Sequence, residues 1–381
     1  MEFLELLESI RAEEASTARL YAGDGTNIRS VQGRNNPRYL QSLAEAAQLI
    51  ADVQAGRKPV WRLQEAMTTS DFPLLFGDIL DRQLLGNYRE SPYTWNQIAR
   101  SRTVPDFRQV SRHFVDGAEG VLEQVPEQTE YPMAALSEGR YQYSVAKFGR
   151  RLPFSWEAMI NDDLDALTDS PARLGKAARR SEEKFITGLF VGPNGPHASL
   201  YTTNVVSGNP ALTHESLRAA LIQFTTQTDA DGEPIVFDAV NLVVPPALRF
   251  VAADVVNTVR REIVEDDVTL IVNGNGLMAN LNIVVNYYIP HVATSSNGDT
   301  SWFLFGSPND GRPALEVGFL RGHAEPEIWM KSPNAIRVGG GSVNAMDGDF
   351  DTDSIHYRIR HVFGGGRLDP KSTLASSGAG A

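Results

Sequence analysis

The sequence predicts an α+β protein, and three patterns carry that prediction. Between residues 169 and 191, apolar side chains recur at three- and four-residue steps, which is typical of one face of a long helix. In 141–149 and 355–363, apolar and polar residues alternate, as they do in half-buried strands. Between 206 and 312, helical and strand patterns follow one another closely, so this part is expected to form a compact α+β subdomain.

Composition limits the classes to which the chain can belong. With 381 residues and 42% hydrophobic content, it can bury a sizeable core and is long enough for two or three domains. The net charge of -12 argues against tight sequence-independent binding to DNA, which needs a surplus of Lys and Arg, but not against enclosing DNA. The absence of cysteine excludes disulfides, thiolate metal sites and cysteine nucleophiles.

No targeting or membrane segment is predicted. The first residues carry Glu2, Glu5 and Glu8 where a signal peptide would carry a basic region. The most apolar stretch, 239–256, is interrupted by prolines and charged residues, so it is not expected to span a bilayer. We therefore expect a soluble protein made in a cytoplasm.

The first 75 residues are predicted to form a helical arm. Residues 2–20 have an amphipathic pattern, 21–37 are rich in glycine, and 38–55 form a second helix that Gly56 ends. Leu40, Leu43, Ala47 and Ile50 share one face of that second helix. We expect this arm to have little core of its own and to need a partner surface.

A third helix, 76–90, precedes two predicted strands, 104–115 and 141–149. The residues between these strands, 116–139, contain five glutamates and no Lys or Arg, with glycines and prolines at intervals. Loops longer than about 12–15 residues in a compact domain are usually functional or disordered. Two interpretations remain open, an acidic surface loop and an arm that docks onto another subunit.

The helix pattern at 169–191 is the longest in the sequence. Asp169 or Ser170 can cap it, and Pro171 suits its first turn. Its polar faces carry five basic residues: Arg173, Lys176, Arg179, Arg180 and Lys184.

The predicted subdomain at 206–312 contains a helix at 213–228 capped by Thr213, and a second helix from Pro245 to about 262. Its predicted strands are 240–244, 268–272 and 281–285. Further strands are predicted at 315–320, 327–330 and 355–363. After Gly364 the residues are small and polar, and a mobile tail is expected.

No constellation of residues predicts catalysis, a cofactor or a metal. The histidines show no metalloprotease spacing, and the phosphate-loop and nucleophile-elbow motifs do not occur. Asp347, Asp349, Asp351 and Asp353 alternate like the start of a calcium loop. That loop type needs Gly and Glu where Thr352 and Arg358 stand, so a solvated loop is the better interpretation.

The order of these parts resembles a known family. Four stretches carry the resemblance: YQYSVAKFGRRLPFSWEAMIN at 141–161, NLVVPPALRFVAADVV at 241–256, PALEVGFLRGHAEPEIWMK at 313–331 and YRIRHVFGGGRLDP at 357–370. Together they are similar to the major capsid proteins of tailed bacteriophages, whose HK97-like fold is shared with phage Mu-type head proteins and encapsulins. In that fold the hairpin is the E-loop, the long helix is the spine of the peripheral (P) domain, and the inserted subdomain is the axial (A) domain.

The resemblance implies seven parts: a helical N-terminal arm (1–75), a connecting helix and strand (76–105), the E-loop hairpin (106–150), a P domain with the spine helix (151–205), an A domain (206–312), returning P-domain strands (313–364) and a flexible C-terminal tail (365–381).

It also implies a non-enzymatic shell protein of the phage head, assembled in the cytoplasm of the bacterial host. Hexamers and pentamers would tile an icosahedral or prolate shell around double-stranded DNA. The expected partners are further copies of the chain, a separate scaffolding protein, a portal and a cement or decoration protein.

The E-loop is expected to lie over a neighbouring subunit. We therefore hypothesise that its glutamates, Glu119, Glu123, Glu127 and Glu130, approach the basic residues of a neighbour's spine helix. Because no lysine lies in 116–139, the lysine–asparagine cross-link of some family members is not expected, and the shell is predicted to be non-covalent. The alternatives are an encapsulin-type nanocompartment shell, an enzyme with a dispersed site, and another virion part such as a tail or decoration protein.

Overall fold

The chain divides into two compact units in a computed structural model. Unit 1 comprises Met1–Pro92, Lys147–Arg180 and His323–Val362, and unit 2 comprises Tyr93–Ala146, Ser181–Gly322 and Phe363–Ala381. The structure describes residues 8–13, 37–59, 62, 66, 72–116, 125, 137–155, 164–229, 232–237, 239–257, 260–265, 268–273, 281–309, 311–331 and 350–379. Each unit is therefore built from three segments that are distant in sequence.

The mixed helix and strand content confirms the predicted α+β class. The helices of the described residues are α1 (Pro37–Gln54), α2 (Phe72–Glu90), α3 (Leu164–Phe190), α4 (His214–Thr225), α5 (Arg249–Asn257) and α6 (Ile289–Val292), and residues 8–13 are also helical. The strands are β1 (Ala99–Val104), β2 (Val110–Asp116), β3 (Ser137–Tyr143), β4 (Val145–Ser155), β5 (Val191–Gly192), β6 (Gly195–Pro196), β7 (Val240–Val244), β8 (Arg260–Glu265), β9 (Val268–Asn273), β10 (Leu281–Val285), β11 (Trp302–Gly306), β12 (Leu315–Leu320), β13 (Glu327–Met330), β14 (Ser354–Arg367) and β15 (Thr373–Ser376).

In unit 1, α1 and α2 pack together with β13 and the first part of β14. The apolar face predicted for α1 is buried, with Leu40 and Leu43 fully inaccessible, and it contacts Ile79 of α2 and Ile355 of β14. The face of α1 is thus covered by α2 and β14, most of which lie outside residues 1–75. This face supplies much of the main core of unit 1.

A second core of unit 1 forms where α3 meets α2. Leu174 and Ala178 of α3 pack against Leu84 and Tyr88 of α2. Gly175 faces the carbonyl oxygen of Leu84, and a methyl group at this position would overlap with that oxygen. The glycine therefore sets how closely the two helices approach. The α3 helix begins at Leu164, so the proline predicted for its first turn lies inside the helix instead.

A four-stranded sheet in unit 2 has the order β10-β7-β11-β15. The predicted strand 240–244 is confirmed as β7, which pairs in parallel with β10 and antiparallel with β11. The helix predicted at 213–228 is confirmed as α4. The hydroxyl of Thr213 caps it by accepting a hydrogen bond from the backbone N–H of Ser216 at 3.2 Å. The second predicted helix is shorter than expected, because α5 ends at Asn257 and β8 begins at Arg260.

The expectation of a flexible tail at 365–381 is wrong for residues 365–376. These residues complete β14 and then form β15, an edge strand in which Leu374 and Ala375 are fully buried. Their small polar side chains are satisfied inside the protein. Thr373 donates its hydroxyl to the Leu304 carbonyl at 2.9 Å, and Ser376 donates to the Pro210 carbonyl at 2.7 Å.

The hairpin and the strands beneath it also belong to unit 2. Strand β2 pairs antiparallel with β3, from Val110 opposite Tyr143 to Asp116 opposite Ser137. The predicted strand 141–149 is in fact divided, because β3 ends at Tyr143 and β4 begins at Val145. Strand β1 pairs in parallel with β12, and β12 pairs antiparallel with the end of β14.

No helix in the described parts of the chain combines the length and the hydrophobicity that crossing a membrane requires.

Candidate functional site

The base of the hairpin is fastened to unit 2 by one buried carboxylate. Glu316 of β12 is 2% exposed. Its Oε1 accepts hydrogen bonds from Nε of Arg112 on β2 and from the hydroxyl of Tyr143 on β3, each at 2.6 Å. One carboxylate thus holds both strands of the hairpin.

Electrostatics keep these partners in their bonded forms. Burial and the hydrogen bond to Glu316 raise the pKa of Tyr143 to about 12, so this hydroxyl stays a donor at neutral pH. Burial is the largest influence on Arg112 and lowers its pKa, but the hydrogen bonds to Glu316 and Tyr143 and the attraction of Glu316 together outweigh burial, so the pKa of Arg112 is raised. A cavity of about 490 Å³ with charges of both signs, including Arg100, Arg312, Asp229 and Asp369, opens beside this cluster.

Glycines make room for Tyr143. A Cβ atom at Gly318 would lie 2.8 Å from the tyrosine ring, and one at Gly366 would lie 2.9 Å from the Cβ of Tyr143. The run Gly364-Gly365-Gly366, interpreted from sequence as the start of a tail, therefore has a packing role. It lets the end of β14 pass close to the hairpin base.

A second buried carboxylate lies in the part of α3 that belongs to unit 2. Glu183 is 6% exposed and accepts hydrogen bonds from the backbone N–H groups of Thr94 at 3.1 Å and Trp95 at 3.4 Å. Burial raises its pKa in spite of these bonds. Asn286 lies in the same network and donates to the Thr187 hydroxyl at 3.0 Å. Two adjacent glutamates in a helical pattern were the only sequence signal for this site.

The structure separates the five basic residues predicted for the spine helix. Arg173, Lys176, Arg180 and Lys184 are exposed along α3. Arg179 is 7% exposed, its guanidinium lies 3.8 Å from the centre of the Tyr88 ring, and it donates to the Tyr88 carbonyl at 3.2 Å. The prediction that Arg179 serves a subunit interface is therefore wrong, because its charge is used inside unit 1.

Unit 1 also has a basic surface that the sequence patterns did not predict. Five basic side chains line a cleft of about 310 Å³: Lys147, Arg150 and Arg151 of β4, and Arg358 and Arg360 of β14. We call these five residues the basic cleft. The alternation in YRIRH indicated exposed arginines on β14, but nothing in the sequence indicated that β4 lies beside them.

Two groups of predicted residues lie outside the described parts of the chain. They are the hairpin glutamates Glu119, Glu123, Glu127 and Glu130, and the aspartates Asp347 and Asp349. Asp351 and Asp353 lie in an exposed turn before β14. Among the described residues, no three His, Asp or Glu side chains are grouped so that they could hold a metal ion.

The chain belongs to a family of phage capsid proteins. The sequence profile of the family described as "Phage capsid protein" matches residues 140–376, more than half of the chain. The match runs from β3 through both units to the end of β15. It confirms the resemblance drawn from the four sequence stretches, and with it the HK97-like α+β fold. The chain is therefore a structural protein of the bacteriophage virion that assembles with itself into a capsid shell.

The solved structures that match the chain include phage capsids and an encapsulin, all at low sequence identity. The capsid of Ralstonia phage GP4 is 10% identical, with a TM-score of 0.46 over 74% of this chain and 87% of that one. The SrpI encapsulin of Synechococcus elongatus PCC 7942 is 9% identical, with a TM-score of 0.45 over 76% of this chain and 89% of that one. The capsid of cyanophage P-SCSP1u is 11% identical, with a TM-score of 0.44 over 75% of this chain and 88% of that one. Since these scores lie below 0.5, the assignment rests on the family match. None of the curated proteins matches the chain.

Proposed function

We propose that this chain is the major capsid protein of a tailed bacteriophage, which forms the hexamers and pentamers of an icosahedral or prolate shell around double-stranded DNA. The family match over residues 140–376 carries this proposal. The net charge of -12 supports it, because a wall with few excess cations does not hold packaged DNA tightly.

The hairpin docks on a neighbouring subunit in this proposal. Its base is fixed by Glu316, so the strands leave unit 2 in a defined direction. Its acidic residues, Glu119, Glu123, Glu127 and Glu130, meet exposed cations of the neighbour, for which Arg173, Lys176, Arg180 and Lys184 of the spine helix were the first candidates. Exposed ion pairs contribute about 0–1 kcal/mol each, but a shell repeats every pair in each subunit.

The shell is non-covalent in this proposal. Residues 116–139 contain no lysine, so the hairpin cannot supply the amine of a lysine–asparagine cross-link. Purified shells should therefore give a single band at the mass of one chain on a denaturing gel, and a ladder of larger species would contradict this. Assembly takes place in the bacterial cytoplasm with a separate scaffolding protein, a portal and a cement protein.

The first test is electron microscopy and sedimentation of the recombinant chain, alone and with the scaffolding protein encoded by the same phage. Shells or capsomer rings are expected. Shells isolated from infected cells should contain nuclease-protected DNA, whereas a constant protein cargo would favour an encapsulin-type compartment. Monomers that persist with the scaffold would contradict the capsid proposal and reopen an enzymatic role.

A further inference from the structure

The basic cleft of unit 1 is short of counter-charges. Arg360 is paired with Glu327 at 2.6 Å. Within the described part of the chain, no carboxylate pairs with Lys147, Arg150, Arg151 or Arg358, and the side chains of all four are exposed. Cationic side chains this close together repel one another unless an anionic partner covers them.

Close strand packing forms the cleft. A Cβ atom at Gly149 of β4 would lie 2.6 Å from the carbonyl oxygen of Ile359, so only glycine lets β4 run this near to β14. On the other side of β14, the Trp329 ring lies 4.9 Å from the guanidinium carbon of Arg360 and 5.8 Å from that of Arg358. Trp329 is 47% exposed, so an apolar platform adjoins the cations.

The hairpin segment 116–139 has the opposite character. It carries six acidic residues and no Lys or Arg, together with prolines and a tyrosine that suit a tryptophan platform. Its acidic residues are Asp116, Glu119, Glu123, Glu127, Glu130 and Glu138. The negative charge of this segment therefore complements the positive charge of the basic cleft, and its tyrosine and prolines complement the adjoining Trp329.

We propose that the basic cleft of one subunit receives segment 116–139 of a second copy, in preference to the exposed cations of the spine helix. The inference rests on the proposed docking of the hairpin and names its receptor. Arginine presents a planar fork that binds a carboxylate through two hydrogen bonds, and a concave surface brings several such forks to one acidic segment. Lys176, Arg180 and Lys184 instead lie in single file on a convex helix, where each pair would stay exposed to water.

The test uses charge reversal in two places and a matched control. The cleft variant is Arg151→Glu with Arg358→Glu, the hairpin variant is Glu123→Lys with Glu127→Lys, and the control is Lys176→Glu with Arg180→Glu on the spine helix. The cleft and control positions are exposed, so circular dichroism and the unfolding midpoint should match those of the wild type.

Sedimentation should show that the cleft and hairpin variants each lose hexamers, whereas the control assembles like the wild type. An equal mixture of the two defective variants should regain hexamers, because each reversed hairpin then meets a reversed cleft on another copy. Rescue only when both reversals are in one chain would mean that the hairpin docks within its own subunit, and would overturn the inference.

Binding of a labelled peptide of residues 116–139 gives a readout that does not depend on assembly. Wild type and control should bind it, and the cleft variant should bind at least tenfold more weakly, with affinity falling as salt is added. Loss of binding in the control alone would place the receptor on the spine helix, which overturns this inference but keeps hairpin docking. If no variant alters assembly or peptide binding, charge-mediated docking itself is wrong. The cleft variant could instead assemble and bind the peptide like the wild type but retain less duplex DNA. In that case the partner is nucleic acid, and the inference also fails.

Discussion

Replacing Glu316 by alanine should release the hairpin from unit 2 without unfolding the rest of the unit. The substitution removes the shared acceptor of Arg112 on β2 and Tyr143 on β3. The Tyr143 side chain is buried, so its hydroxyl would be left without an acceptor, at about 1–3 kcal/mol. The side chain of Arg112 is 35% exposed and can be rehydrated, which limits its share to about 1 kcal/mol.

The expected loss is therefore about 2–4 kcal/mol in the free energy that keeps the hairpin base closed. At 1.4 kcal/mol per factor of ten, the open population should rise about 30- to 700-fold. Glu316→Gln should have a smaller effect, because an amide oxygen can still accept from the tyrosine.

Hydrogen exchange of the backbone amides of β2 and β3 measures this opening directly. In Glu316→Ala, both strands should exchange faster by the factor above, while β7 and β11 keep their protection. Asp106→Asn is the matched control, because Asp106 pairs with Arg108 at 3.9 Å and both side chains are more than half exposed. Equal protection of the hairpin strands in Glu316→Ala and in the control would refute the idea that this carboxylate anchors the hairpin.

Three further predictions concern the stability of the two units. Burial raises the pKa of Glu183 above its ordinary value of 4.5, so the stability from its protonated form is present below pH 4.5 and is lost as the pH rises through the raised pKa. Urea unfolding should show that the free energy of unfolding falls less steeply between pH 4.5 and the raised pKa in Glu183→Gln than in the wild type. The same pH dependence in both proteins would contradict this prediction. Gly175→Ala should destabilise unit 1 by about 1–3 kcal/mol, because the methyl group meets the backbone of α2. Gly188→Ala on the same helix meets no atom within 4 Å and should stabilise by up to about 1 kcal/mol, so equal effects in thermal unfolding would exclude the clash. Leu374→Ala should cost about 2–5 kcal/mol, against less than about 0.5 kcal/mol for exposed Ile222→Ala, and similar midpoints would argue against β15 as a core strand.

Sequence patterns predicted the helices and strands whose formation depends mainly on neighbouring residues in the chain. Strand β7 and helix α4 were found with nearly the observed bounds, because an apolar run before two prolines and a threonine cap are signals contained in a few residues. Strand β15 was missed because Thr373 and Ser376 have the composition of a loop. Their hydroxyls are satisfied only by carbonyl groups that come from distant parts of the chain.

The candidate site shows the same division between local and distant information. The acidic hairpin and the basic residues of α3 stood out in the sequence, yet the burial of Arg179 depends on Tyr88 of another helix. The basic cleft depends on β4 lying beside β14, and these strands are separated by about 200 residues. Charge patterns identify candidate surfaces, but strand neighbours decide which charges converge.

The parallel pair of β1 and β12 has a consequence for how fast the protein matures after synthesis. Its paired residues, such as Ala99 and Leu315, are more than 200 residues apart in the chain. Closing so long a loop is entropically unfavourable before the contacts form, and folds dominated by distant contacts are slow. In unit 2, β1 must wait for β12, and this wait is expected to delay the point at which newly made chains become competent to join a shell. That delay would keep nascent chains from associating before the hairpin base, which also depends on Glu316 of β12, has formed.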